Sequence, residues 1–97
     1  MLTDLRRRDV IAAAVAAYDG AHPKARLPRN AAQLLAAMFP SEDECRRSLM
    51  AIAAEGFDRK RLPAALKRLV EAGFLSREPG SGVVADTYRL HLPPVRP

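Results

Sequence analysis

Apolar residues recur at helical spacing through most of the chain and alternate with polar ones only near its end. Leu5, Val10 or Ile11, Ala14, Val15 and Tyr18 predict a first helix over about Asp4 to Tyr18, with Thr3 as its N-cap. Residues 20–29, GAHPKARLPR, interrupt the pattern and read as a linker, because Pro23 and Pro28 forbid a continuous helix. A second, short helix is expected from Asn30, where Asn30 and Gln33 have capping-box spacing. Leu34, Leu35, Met38 and Phe39 supply its buried side and Pro40 ends it. Ser41-Glu42-Asp43-Glu44 has the S-x-x-E form of a cleaner capping box and predicts a third helix ending near Glu55. Its acids fall in the first turn, where the helix dipole favours them. Leu49, Ile52 and Ala53 would form its apolar stripe, with Cys45 one turn earlier and Gly56 as the C′ residue.

The fourth helix has the clearest pattern. Asp58 reads as its N-cap, and Phe57 and Leu62 have hydrophobic-staple spacing around it. Leu62, Leu66, Leu69 and Val70 line one face, while Lys60, Ala64, Lys67, Arg68 and Glu71 line the other, with Arg59 and Arg61 flanking the start. Gly73 closes the helix, and Phe74 and Leu75 pack back beneath it. Pro63 leaves two arrangements open: a distorted first turn, or a regular helix that begins at Pro63 as N1. Beyond it, Leu75 to Glu78 and Thr87 to Leu92 read as strands joined through Pro79-Gly80-Ser81-Gly82. Tyr88, Leu90 and Leu92 alternate with Arg89 and His91, giving one apolar and one polar strand face. Pro93 and Pro94 are expected to end the sheet, with a loose tail after them.

These elements predict a mainly α fold with a small β-hairpin (α+β) in a single domain over residues 1–97. The N-terminal helix occupies 1–20, a helical core 30–75 and the hairpin 75–92. Abundant Ala and Leu, with no Trp, favour closely packed helices over a β-sandwich. The single cysteine, Cys45, excludes an intramolecular disulfide and reads as a small core residue. No segment approaches the roughly 20 apolar residues of a membrane span. Arg6, Arg7 and Arg8 before Val10 to Ala17 only superficially resemble a signal peptide, so a cytoplasmic location is the expectation.

Charge adds a functional direction. The net charge is +5 and it is unevenly distributed. Residues 1–29 carry six basic residues against three acidic, 30–56 two against four, and 57–97 eight against four. Basic ends around an acidic middle make nucleic acid a candidate partner. Cations near a helix N-terminus oppose its dipole, so the arginine triplet Arg6 to Arg8 reads as solvated, with contact to an anion as the alternative.

The segment DRKRLPAALKRLVEAGFLSREPGSGVVADTYRL, Asp58 to Leu90, resembles winged helix-turn-helix domains of bacterial regulators. ALKRLVEAGFLSREPGSGVV looks like the recognition helix and wing of GntR-type DNA-binding domains, and DTYRLHLPP is similar to the last wing strand of small winged-helix proteins from phages and mobile elements. The resemblance covers roughly the last third of the chain. It implies a winged helix-turn-helix with an additional N-terminal helix, and a small transcriptional regulator such as a repressor that binds double-stranded DNA. GntR-type regulators continue into a ligand-binding domain, whereas this sequence ends at the wing. RRSLMAIAAEGF also lacks the L-A-x-x-x-G that precedes most recognition helices.

Beside the resemblance, the residues make their own case. Lys60, Ala64, Lys67 and Arg68 share the face that would enter a major groove, where Arg or Lys reads guanine and Ala64 meets a thymine methyl. Arg59 and Arg61 suit phosphates. Arg77 and Arg89 lie on the two hairpin strands, and the slim tip at Ser81 suits a minor groove or backbone. The competing interpretation is an ordinary solvated charged face.

Enzymatic chemistry is not expected. His22 and His91 lie in different contexts, no Cys/His set has metal-ligand spacing, and the hairpin glycines lack the GK[ST] of a P-loop. Ser41 has a helix-cap and Ser48 a helix-surface explanation. No cofactor or metal is expected. A homodimer is expected through the Ala-rich side of the first helix (Ala13, Ala14, Ala17), a helix the winged core does not itself require. Two alternatives are a replication or partition accessory factor that binds origin DNA, and a winged-helix module that docks on an acidic protein partner.

Overall fold

A computed structural model describes residues 2–82 and 85–92, with side chains from Arg6 onward. The described residues form four helices and a three-stranded antiparallel sheet, an α+β arrangement. In chain order they are α1 (Leu2–Ala21), α2 (Ala31–Met38), β1 (Glu44–Cys45), α3 (Leu49–Ala53), α4 (Leu62–Glu71), β2 (Leu75–Glu78) and β3 (Thr87–Leu90). The expected ends at Pro93 and Pro94, the tail and the side chain of Leu5 lie outside the described residues.

The helix α1 is longer than the spacing predicts, beginning at Leu2 so that Thr3 is inside it rather than capping it. Ile11 and Val15 reach the core, while Val10 is half-exposed. Tyr18 sets its ring edge-on to Phe74 at 5.6 Å between centroids, joining α1 to the base of the hairpin. The first helix is therefore part of the core, contrary to the expectation that the core does not need it. Of the arginine triplet, Arg6 and Arg8 are exposed and Arg7 is a structural tie. Its Nε donates to the Phe39 carbonyl at 2.6 Å, and its Nη2 donates to the Glu42 carbonyl at 2.9 Å and meets Asp43 at 2.5 Å. Arg47 donates to the Ala37 carbonyl and meets Glu55 at 3.1 Å. Together the two arginines place positive charge and donors at the C-terminal end of α2, where carbonyls lack helical partners. At the other end of α2, Asn30 makes no side-chain cap bond, so the expected Asn30–Gln33 box is not formed.

The largest departure lies at residues 41–55. The S-x-x-E pattern does not start a helix. Glu44 and Cys45 form β1, paired antiparallel with Arg89 and Tyr88 of β3, and α3 begins only at Leu49. Ser48, expected on a helix surface, is the N-cap, its Oγ accepting from the Ala51 amide at 3.2 Å. Pairing with β3 gives Glu44 and Cys45 ladder partners and buries Cys45, which a local capping pattern cannot offer. Only Ile52 of the expected stripe is fully buried, Ala53 packs partly against the core, and Leu49 and its neighbour Met50 are exposed.

The second half follows the sequence closely. Leu62, Leu66 and Leu69 of α4 are buried together with Phe74 and Leu75. Gly73 has a φ of +88°, the Gly73 amide donates to Val70 at 3.0 Å, and the Phe74 amide donates to Leu69 at 3.1 Å. That is a Schellman ending, with the buried Phe74 and Leu69 making its apolar contact. β2 has its expected span, and β3 stops at Leu90 rather than Leu92. β3 lies between β1 and β2.

Candidate nucleic-acid interface

The chain enters α4 through a turn rather than directly from an N-cap at Asp58. Asp58 Oδ1 accepts from the Lys60 amide at 2.9 Å, and the Asp58 carbonyl accepts from the amides of Arg61 and Leu62 at 3.1 and 3.0 Å. The regular helix then begins at Leu62, with Pro63 in its first turn. There a proline's missing N–H removes no helical hydrogen bond, which answers the question its position raised. Arg59, Lys60 and Arg61 consequently crown the turn and are exposed, as are Ala64 and Lys67 on the helix itself. Arg61 has a loose ion pair with Asp58 at 3.7 Å, while Arg59, Lys60 and Lys67 have no ion-pair partner among the described residues.

Arg68 does not share that free face. It is half-buried, and its Nη2 donates to the carbonyl of Ala25 in the segment between α1 and α2. An open groove of about 590 Å³ lies nearby. Arg29 and Asn30 line one part of it, Lys60, Arg61 and Ala64 another, and Leu34, Phe57 and Leu62 contribute apolar surface. The interlinked position of residues 24–30 was not legible in the sequence, although the basic content of the linker was.

The hairpin is electrostatically different. Arg77 Nε meets Asp86 Oδ2 at 2.8 Å, and Asp86 Oδ1 accepts from the Gly80 amide at 2.7 Å. These two hydrogen bonds, the backbone one foremost, hold the Asp86 carboxyl below the ordinary aspartate value. Arg89 lies between Glu44 at 3.4 Å and Glu78 at 3.2 Å. Both strand arginines are thus engaged by carboxylates, and the hairpin does not present the basic surface the sequence suggests. Ser81 is exposed at its tip beside Gly82, whose φ is +58°. Tyr88 is buried, and its burial pushes the phenol pKa up.

Among the described residues, no group of three or more His, Cys, Asp and Glu side chains is arranged to hold a metal ion. No described helix is long and apolar enough to cross a membrane. Comparison with known proteins finds no matching family model, no matching characterised protein and no matching solved structure.

Proposed function

We propose that the chain is a winged helix-turn-helix protein that binds double-stranded DNA, with α4 in the major groove and the β2–β3 hairpin as the wing, and that it acts as a small regulator without catalytic activity. The observation that carries this reading is the exposed cation cluster Arg59, Lys60 and Arg61 on the turn leading into α4, with Ala64 and Lys67 exposed on the helix that follows. The element order supports it. The run α2, β1, α3, α4 and the β2–β3 hairpin, with β1 on the outer edge of β3, is compatible with a helical unit followed by a hairpin wing. The geometry also supports a division of labour. The cations on the turn suit phosphates, while Ala64 and Lys67 on the helix would meet base edges.

A second copy would pair through the outer side of α1, where Val10 is half-exposed and Ala13 and Ala17 are exposed. Sedimentation of an Ala13→Glu/Ala17→Glu variant tests this: loss of a dimer supports the pairing, and an unchanged mass overturns it. Docking on a protein partner is a second reading, favoured by the exposed apolar pair Leu49 and Met50 at the start of α3.

The test of the main reading is an anisotropy titration against DNA upstream of the coding sequence and against a scrambled duplex. Selective binding of the wild type, lost in Arg59→Ala/Lys60→Ala, supports the proposal. Failure to bind either duplex overturns it and directs attention to a protein partner.

A further inference from the structure

We infer that the segment from Lys24 to Asn30 is a second DNA-contacting element, which lays Lys24, Arg26 and Arg29 along the phosphate backbone beside the turn that precedes α4, with Arg68 as the residue that positions it. This inference rests on the DNA-binding reading above.

The segment is built rather than loose. The Ala25 amide donates to the His22 carbonyl at 3.0 Å, the Leu27 amide donates to Asp19 Oδ1 at 2.9 Å, and the Ala31 amide donates to the Pro28 carbonyl at 3.0 Å. Leu27 is buried in the core, and the His22 ring stacks on Tyr18 at 4.1 Å. Backbone anchors therefore lie before, between and after the three cations. Cations held on an ordered backbone lose less conformational freedom on binding than cations on a flexible tail.

Placement and charge supply the rest. Lys24, Arg26 and Arg29 are exposed and have no ion-pair partner among the described residues, and no acidic residue occurs from Gly20 to Ser41. Arg29 and Asn30 line the same groove as Lys60 and Arg61, so this end of the segment adjoins the turn, and Lys24 and Arg26 flank Ala25, whose carbonyl is held by Arg68 of α4. Asn30, free of a capping bond to α2, adds a neutral donor at its edge. A run of exposed cations adjoining the proposed recognition turn fits a linear polyanion, and phosphate contacts of this kind set register without reading sequence.

Arg68 connects the two parts. Its guanidinium donates to the Ala25 carbonyl, so it holds the segment against α4 instead of extending toward a base. It is a positioning residue, which replaces the base-reading role expected from its place in the sequence.

The experiment compares wild type, Lys24→Gln/Arg26→Gln/Arg29→Gln, Arg68→Ala and their combination on target and scrambled duplexes over a salt series. The substituted linker residues are exposed, so thermal unfolding of the linker variant should match wild type. The slope of log affinity against log salt should fall by about 2 to 3 in the linker variant, because each lost phosphate contact removes roughly one unit. Both duplexes should weaken by the same factor, leaving sequence preference intact. Arg68→Ala should lower the slope by a smaller amount and add nothing in the linker-variant background, a pattern that simple destabilisation would not produce. Wild-type binding with an unchanged slope in the linker variant would overturn the strip and leave the DNA reading standing. A loss of preference in place of slope would overturn the phosphate assignment. No wild-type binding to any duplex would overturn both proposals.

Discussion

The hairpin and the turn before α4 carry similar residues in the sequence and very different charge in the structure. Arg77 and Arg89 are surrounded by Asp86, Glu78 and Glu44, within 3.4 Å in every pair. Arg59 and Lys60, a short distance along the chain, have no such partner among the described residues, and Arg61 has only Asp58 at 3.7 Å. Local composition counts all five arginines and lysines alike. A paired arginine contributes little net field and must give up its carboxylate before it serves a phosphate, whereas an unpaired one has only water to displace. The difference shifts the proposed phosphate contacts from the hairpin to the turn and leaves the hairpin mainly a shaped projection.

The largest effect that would sharpen this contrast is removal of the turn's charge. Arg59→Ala/Lys60→Ala/Arg61→Ala should lower duplex affinity on the order of a hundredfold near 0.1 M salt and flatten the salt slope by about 3. Anisotropy titration measures both, and a loss under threefold would break the comparison. A smaller effect of opposite sign is expected from Asp86→Asn, which removes the carboxylate paired with Arg77 and raises the net charge by one. Affinity should rise a few-fold and the slope should steepen by about 1; unchanged binding would mean that the hairpin never approaches the DNA. Smaller still, Arg77→Ala and Arg89→Ala should each change affinity by less than about threefold, because each removes a charge already neutralised. A hundredfold loss from either would reverse the assignment.

The smallest effect is on the hairpin loop itself. The folded pKa of Asp86 lies below its unfolded value, so its contribution is fully present above the ordinary aspartate pKa of about 3.9. That contribution is lost as pH falls below this value and through the depressed folded pKa. The Gly80 amide resonance should therefore hold its position at neutral pH and move only in strongly acidic solution. Movement between pH 5 and 7 would show that Asp86 does not hold the loop.

What the sequence disclosed depended on how local each feature is. The apolar face of α4, the Gly73 ending and the β2 strand are set by neighbouring residues, and all were legible. The strand β1 was not, because its formation depends on pairing Glu44 and Cys45 with distant Arg89 and Tyr88. The nearby S-x-x-E pattern imitates a helix start, and tertiary pairing overrides such local preference. The same logic divides the candidate site. The cluster Arg59 to Arg61 could be read directly. The pairing of Arg89 with Glu44 and the bond from Arg68 to Ala25 join parts of the chain that only folding brings together.

The most direct test of the central claim is a two-dimensional amide NMR titration of the labelled protein with a target duplex. Salt-sensitive shifts are expected to concentrate at Arg59, Lys60, Arg61, Ala64 and Lys67 and along the adjoining segment from Lys24 to Asn30, with smaller changes at Arg77 and Arg89. Shifts centred on the hairpin strands or on Leu49 and Met50, or no shifts at all, would contradict it.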